Sequence, residues 1–253
     1  MPDQQSSTFS ANETARNGAF SEVWDNDLND SFAGIAQYYD RANHVASFGL
    51  WNWLRSNFIA EIDVSPNDRL LDVCAGTMAI SIALLKKEPD LQVCAVDRSE
   101  AMLNVGSEKA LKLDLKIDPK IHDVHQLPYP DNSFDVVTLQ YASRHLKIID
   151  VFKEIQRVLV PGGRFYHCDM LRPESKLVGT LYYGYVKLCL NFTSFLFRSA
   201  PEAMSLKNYF IDALKMFYSA NELSLLLKDL GFKDVRCKTL LAKTIGIHSA
   251  VNP

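Results

Sequence analysis

An α/β fold built on a seven-stranded, mostly parallel sheet with helices on both faces follows from three observations in the 253-residue chain. Short apolar runs alternate with helix-like stretches between residues 69 and 169. The run Arg69-Leu70-Leu71-Asp72-Val73-Cys74 enters a small-residue turn, Ala75-Gly76-Thr77, which opens a helix. A second run, Leu91-Gln92-Val93-Cys94-Ala95-Val96, ends in Asp97. Strand, glycine-bearing turn, helix and an acid closing the next strand is how an open sheet holds a nucleoside-like group. Amides at the helix start face the ligand, and the acid accepts hydrogen bonds from ribose hydroxyls.

Each element can be justified in order. Residues 32–62 read as helical, with Phe32, Ile35, Tyr38, Tyr39, Trp51, Leu54 and Phe58 spaced to line one or two faces. Ser65-Pro66-Asn67-Asp68 breaks the chain before a strand at 69–74. A helix over 77–87 stops before Pro89, and a strand over 92–96 leads to a helix over 99–111 that Ser99 caps, with Met102 and Leu103 facing inward. A third strand falls near 116–122, and a turn at Asp131-Asn132-Ser133 precedes a fourth over 134–140. A helix over 147–159 ends at Pro161-Gly162-Gly163, read as a helix stop and sharp turn, before a fifth strand over 164–169. A helix over 220–230 ends at Gly231, and 233–240 and 243–250 make a final antiparallel pair at the sheet edge.

Residues 174–218 break this rhythm. They are rich in aromatics, among them Tyr182, Tyr185, Phe192, Tyr209, Phe210 and Tyr218, interleaved with Lys176, Lys187 and Arg198. An aromatic helical insertion there sits above the carboxyl ends of the strands, where ligand crevices form, and suits a substrate lid that can touch a bilayer.

Composition bounds the rest. The chain is 47% hydrophobic and 23% charged, ordinary for a globular protein, and its net charge of −3 gives no electrostatic case for a nucleic-acid partner. No apolar run reaches the ~18 to 20 residues of a membrane-spanning helix. The five cysteines form no CxxC pair and read as free thiols of a reducing, cytoplasmic compartment; the histidines show no metal-site spacing. Residues 1–28 set Glu13, Glu22, Asp25 and Asp27 against Arg16, too acidic for a transit peptide and without a secretory apolar core. They are expected to form a mobile tail, with a short helix around 20–24, ahead of one domain over 29–253.

Five stretches of the chain resemble a known family. They are Ala36-Gln37-Tyr38-Tyr39-Asp40-Arg41-Ala42-Asn43 with Ser47-Phe48-Gly49; Leu71-Asp72 through Thr77; Leu127-Pro128-Tyr129-Pro130-Asp131-Asn132-Ser133-Phe134-Asp135; Arg157-Val158-Leu159-Val160-Pro161-Gly162-Gly163-Arg164; and Leu230-Gly231-Phe232 with Ile247-His248. Together they resemble class I S-adenosylmethionine-dependent methyltransferases, which have a Rossmann-like sheet. The first stretch, with Arg144, is more particular to the quinone C-methyltransferases.

The resemblance implies S-adenosylmethionine as cofactor and a lipophilic quinol as substrate. It also implies that Asp72, Ala75, Gly76 and Thr77 floor the methionine part of the cofactor. Asp97 would take the ribose hydroxyls, with Arg98, Met102, Asp123 and Val124 around the adenine and Tyr39 closing over the top. Tyr141 would stand at the mouth facing the substrate, and Arg144 would help deprotonate the quinol. His145, adjacent to it, is a candidate base near neutrality.

Two departures stand out: Met78 and Ala79 replace a glycine and an aspartate of the family's usual turn, and His145 stands where the family usually has asparagine beside the arginine. Met78 can occupy ligand space or fold into the sheet–helix core. Other readings stay open at this point. The superfamily motifs fit another lipophilic or aromatic acceptor, methylated on carbon or oxygen, and a closed cofactor site would leave a lipid-binding scaffold. Peripheral bilayer contact and a homodimer are both compatible with the sequence.

Overall fold

The computed structural model describes residues 3–197 and 201–253, so Arg198 lies outside the described residues. Strands β1 (Arg69–Val73), β2 (Gln92–Asp97), β3 (Ile117–Ile121), β4 (Phe134–Gln140), β5 (Leu159–Met170), β6 (Lys233–Leu240) and β7 (Ile245–Val251) form one sheet in the order β3-β2-β1-β4-β5-β7-β6. All pairings are parallel except those of β7, which runs antiparallel to both β5 and β6. The strand order reverses between β1 and β4, so their carboxyl ends diverge and leave a crevice.

Successive side chains on a strand point to opposite faces, and both faces here are covered. Leu71, Val73, Val137 and Leu139 pack on Val151, Phe152 and Ile155 of a helix at Ile148–Val158 and on Leu223 and Leu227 of another at Ala220–Asp229. Leu70, Val136 and Tyr166 pack on Leu54 and Phe58 of a helix at Leu50–Glu61 and on Ile80, Leu84 and Leu85 of one at Ala79–Lys87. This two-sided burial is why the central strands read as unbroken apolar runs.

In chain order the helices are α1 (Asp3–Glu22), α2 (Leu28–Ile35), α3 (Tyr39–Ala46), α4 (Leu50–Glu61), α5 (Ala79–Lys87), α6 (Glu100–Lys112), α7 (Ile148–Val158), α8 (Lys176–Phe197), α9 (Pro201–Met216) and α10 (Ala220–Asp229). A π-helical turn at Val23–Asp27 joins α1 to α2. The 174–218 segment is the pair α8 and α9, and Tyr182, Val186, Ile211 and Leu214 form the apolar seam between them.

Two expectations need correction. The acidic segment 1–28 is helical from Asp3, and Phe9, Arg16, Phe20 and Trp24 are buried. These residues recur at seven, four and four positions, one face of a helix, with an arginine in the stripe that conceals it. Phe20, Trp24 and Leu28 pack on Tyr209 and Ala213 of α9. The other correction concerns Pro161-Gly162-Gly163, which does not separate helix from strand. β5 begins at Leu159, which pairs with Phe134; pairing resumes at Val136 with Arg164 after an irregularity. A left-handed Gly162 (φ 79°) lets the excess residues loop out of the strand.

Candidate functional site

The first cavity, about 390 Å³, lies at the carboxyl ends of β1 and β4. Its floor is the turn after β1, where Cys74 (φ 55°), Gly76 (φ 51°) and Met78 (φ 55°) are all left-handed. At Gly76 an added Cβ would stand 3.3 Å from the Met102 methyl. The Gly76 amide donates to one Asp97 oxygen at 2.8 Å and the Ser99 amide donates to the other at 2.9 Å. Both carboxylate oxygens are thereby oriented, each with accepting capacity to spare. Burial raises the Asp97 pKa, and the two amides oppose that rise.

Asp72 is buried one strand away. It accepts from the Ser81 amide (3.2 Å), the Ser81 hydroxyl (2.6 Å) and the Thr138 hydroxyl (2.8 Å). Burial outweighs those donors and lifts its pKa to about 6.

Met78 leaves the cavity clear. Its fully buried side chain packs with Ala95 and Leu103 under α6, not among the cavity-lining residues. Room for it comes from Gly106, where a Cβ would fall 2.6 Å from Met78 Cγ. The cavity wall at this turn is instead Ala75, Gly76, Thr77 and Ala79.

The N-terminal elements cover the cavity. Arg98 donates to the Trp24 and Asp25 carbonyls at 2.9 and 3.4 Å, tying the π-turn to the end of β2. Asp40, a residue given no role from sequence, accepts from Thr77 (2.9 Å), Lys109 (2.5 Å) and Arg55 (3.3 Å). Burial opposes ionisation of Asp40, but these donors hold its carboxyl below the usual range. Asp123 is exposed; desolvation opposes its ionisation, but the His125 amide and ring outweigh this and bring its pKa down.

A second, larger cavity of about 920 Å³ adjoins the first. Leu28, Phe32, Tyr39, Trp51 and Tyr141 line both. Tyr141 is left-handed (φ 56°) just after β4, which turns its ring onto Trp51 at 4.9 Å between centroids. The second cavity is otherwise mostly apolar, with residues from α3, α4, α8 and α9. Its polar end is Arg144, which pairs with the fully buried Asp169 and donates to the Tyr141 carbonyl at 3.0 Å. Arg144 Nε and the Tyr182 hydroxyl are buried there without hydrogen-bond partners among the described residues.

His145 faces the first cavity instead. The Trp24 indole donates to the Tyr209 hydroxyl at 2.8 Å, and that hydroxyl lies 2.5 Å from His145 Nδ1. An indole only donates, which leaves the phenol proton for Nδ1 and places the imidazole proton on Nε2. Burial, then the cations of Arg144 and Arg16, push the His145 pKa well below its ordinary value. A base titrating near neutrality, as expected from sequence, does not fit these surroundings.

The profile of the ubiE/COQ5 methyltransferase family matches residues 21–252. The chain belongs to this family. A demethylmenaquinone methyltransferase of Lactobacillus johnsonii is 32% identical over 91% of this chain and 94% of its own length. A ubiquinone/menaquinone biosynthesis C-methyltransferase of Rickettsia bellii is 29% identical over 88% of this chain and 91% of its own. An S-adenosylmethionine-dependent methyltransferase from Aquifex aeolicus shares the fold, with TM-score 0.56 and 21% identity over 79% of this chain and 89% of that one.

For this ubiE/COQ5 methyltransferase, each residue given a catalytic or cofactor-binding role from sequence lines one of the two cavities. Tyr39, Asp72, Ala75, Gly76, Thr77, Asp97, Arg98, Met102, Asp123, Val124 and His145 line the first. Arg144 lines the second, and Tyr39 and Tyr141 stand in the wall between them. Sequence reasoning missed Asp40, Trp51, Asp169, Tyr209 and Arg16. Asp40 and Trp51 lie in or beside the first quoted stretch and Tyr209 is legible only as one aromatic of the 174–218 segment, while Asp169 carries no local signal and acts only through pairing across the fold.

Proposed function

We propose that this methyltransferase uses S-adenosylmethionine to methylate a ring carbon of an isoprenoid quinol precursor. The observation that carries the reading is the shared wall at Tyr39, Trp51 and Tyr141. It joins a polar, nucleoside-sized cavity to a larger apolar one with a buried guanidinium at its polar end. The names of the relatives, which act on demethylmenaquinone and in ubiquinone/menaquinone biosynthesis, support the same acceptor class.

The first cavity fits the cofactor, because Asp97 keeps free lone pairs on both oxygens for a ribose diol. Bound there, S-adenosylmethionine supplies a methyl group already activated on sulfur. Asp72, Ala75, Gly76 and Thr77 form the floor, Arg98, Met102, Asp123 and Val124 enclose the adenine side, and Tyr39 covers it. A flat ring enters the second cavity and lies against Trp51 and Tyr141. Arg144, held by Asp169, stabilises the oxyanion of a ring hydroxyl whose proton passes to solvent, which makes the ring carbon nucleophilic. The methylated carbon then gives up its own proton to the phenolate oxygen or to water as the ring becomes aromatic again. His145 remains neutral and offers an N–H to the first cavity.

The isoprenoid tail follows the apolar lining outward to Phe48, Leu181 and Tyr185, which line the cavity and are themselves exposed. Among the described residues no helix is long and apolar enough to cross a membrane, so contact with a bilayer would occur at this rim.

The test is to supply the pure protein with S-adenosylmethionine labelled in the methyl group and with reduced demethylmenaquinone. Label should appear on a ring carbon of the quinone product. Donor binding without label transfer, together with failure to restore methylated quinone in a strain lacking its own enzyme, would rule out the acceptor assignment.

A further inference from the structure

Arg16 lies in α1, ahead of the stretch matched by the family profile, yet its side chain is fully buried. A buried guanidinium without partners is strongly destabilising, so the destinations of its donors show what it does. Nη1 pairs with Glu13. Nη2 reaches the backbone carbonyls of Ser143, Arg144 and Leu146 at 3.4, 3.1 and 3.3 Å. Glu13 in turn accepts from the amide of Ile148, the first residue of α7, at 3.2 Å and from the Tyr218 hydroxyl at 2.9 Å. The rings of Trp24 and Phe217 lie 5.4 and 5.1 Å from the guanidinium carbon.

The segment touched by these groups is a single 3-10 turn, Ser143–His145, with little regular hydrogen bonding of its own. From the sheet side it is held by Asp169, which accepts the Ser143 amide at 2.8 Å, and by His167, 2.5 Å from the Ser143 hydroxyl. On the opposite side the loop carbonyls converge on Arg16. Between the two sets of contacts the turn sends Arg144 into the second cavity and His145 into the first.

We propose that Arg16, with Glu13 as its counter-ion, is a positioning residue for methyl transfer: by gathering the carbonyls of the 143–146 turn it aims Arg144 and His145 at their cavities. This rests on the reading of that turn as part of the reacting centre. It gives the acidic N-terminal helix, which lines neither cavity, a catalytic consequence. Displacement of a positioned group by about 1 Å is sufficient to slow a reaction roughly 100-fold.

The test compares wild type with R16K, R16Q, E13Q and R144Q, each assayed well below its own Tm. S-adenosylhomocysteine titration gives donor affinity and the fraction of competent sites. Turnover of a short-chain demethylmenaquinol is then expressed per competent site. R16Q should lose at least roughly tenfold in kcat per site while donor affinity stays within about threefold. R16K should recover part of the loss, because a single ammonium keeps the charge but not the planar fork. A role confined to holding α1 in place would instead lower the number of competent sites and leave kcat per site unchanged.

A folded R16Q with kcat per site within twofold of wild type overturns the proposal. If R16Q does not fold, R16K and E13Q decide by the same threshold. R144Q separates the two readings. Full turnover in R144Q would remove the turn from the chemistry, whereas an impaired R144Q beside an intact R16Q would overturn the positioning role alone.

Discussion

Gly106→Ala is expected to damage the cofactor site from the far side of a helix. The added Cβ would lie 2.6 Å from Met78 Cγ, 3.0 Å from its sulfur and 2.9 Å from the Thr77 carbonyl carbon. Ordinary carbon–carbon contacts are roughly 3.5 to 4 Å, so α6 and the turn after β1 must separate by about 1 Å. The Met78 side chain can swing, but the Thr77 backbone is part of the cavity floor. Overpacking of this kind costs about 1–3 kcal/mol, and better helix propensity returns about 0.5–1 kcal/mol. A net destabilisation of about 1–2 kcal/mol is expected, or a Tm lower by roughly 2–8 °C for a chain of this size.

The assay is chemical denaturation alongside titration with S-adenosylhomocysteine. Affinity should fall several-fold in the single variant. Adding Met78→Gly should remove the side-chain contacts but not the Thr77 backbone contact, so that Gly106→Ala costs less in that background, with a coupling on the order of 1 kcal/mol. A Gly106→Ala protein at or above wild-type stability with unchanged donor affinity would refute the account of where Met78 goes.

Three further outcomes follow from the same geometry. Asp97→Asn leaves one acceptor oxygen for two backbone amides and a diol, and should weaken donor binding by roughly 10- to 100-fold in a calorimetric titration; unchanged affinity would argue against ribose at this site. Arg144→Gln should lower kcat by roughly 100-fold with donor affinity intact, since its guanidinium lies in the second cavity; a KM effect alone would contradict oxyanion stabilisation. Asp72→Asn should become increasingly stabilising relative to wild type as pH rises. The folded-state pKa of about 6 exceeds the unfolded value near 3.8, so the folded state holds the extra proton between those pH values, and wild type loses on the order of 3 kcal/mol from pH 4 to 7. Urea melts that show no such divergence would mean that the carboxyl is not penalised by burial.

Local patterns made the parallel sheet, the turn at Ala75–Thr77 and the acid at Asp97 legible, because each is a short-range consequence of strand burial or turn chemistry. The antiparallel edge pair was legible from Gly231 onward for the same reason. What stayed hidden depends on partners distant in sequence. α1 hides its contact face because Arg16 takes a position where an apolar residue is expected, and its charge is answered by carbonyls more than a hundred residues away. The lowered basicity of His145 was not legible because it is set by burial, then by Arg144 and Arg16, not by its neighbours in the chain alone. Met78 looked like an obstacle to ligand until Gly106 supplied the space, and that compensation lies on a different helix.

The hydrogen-bonded chain from Trp24 through Tyr209 to His145 joins three regions that meet nowhere in the sequence. Withdrawing any one of them strands a dry polar atom on another, and such an orphan costs about 1–3 kcal/mol. The π-turn, α9 and the loop after β4 should therefore breathe as one latch. Amide exchange along these three stretches is expected to share a single opening rate, and the spent donor would leave in step with that motion.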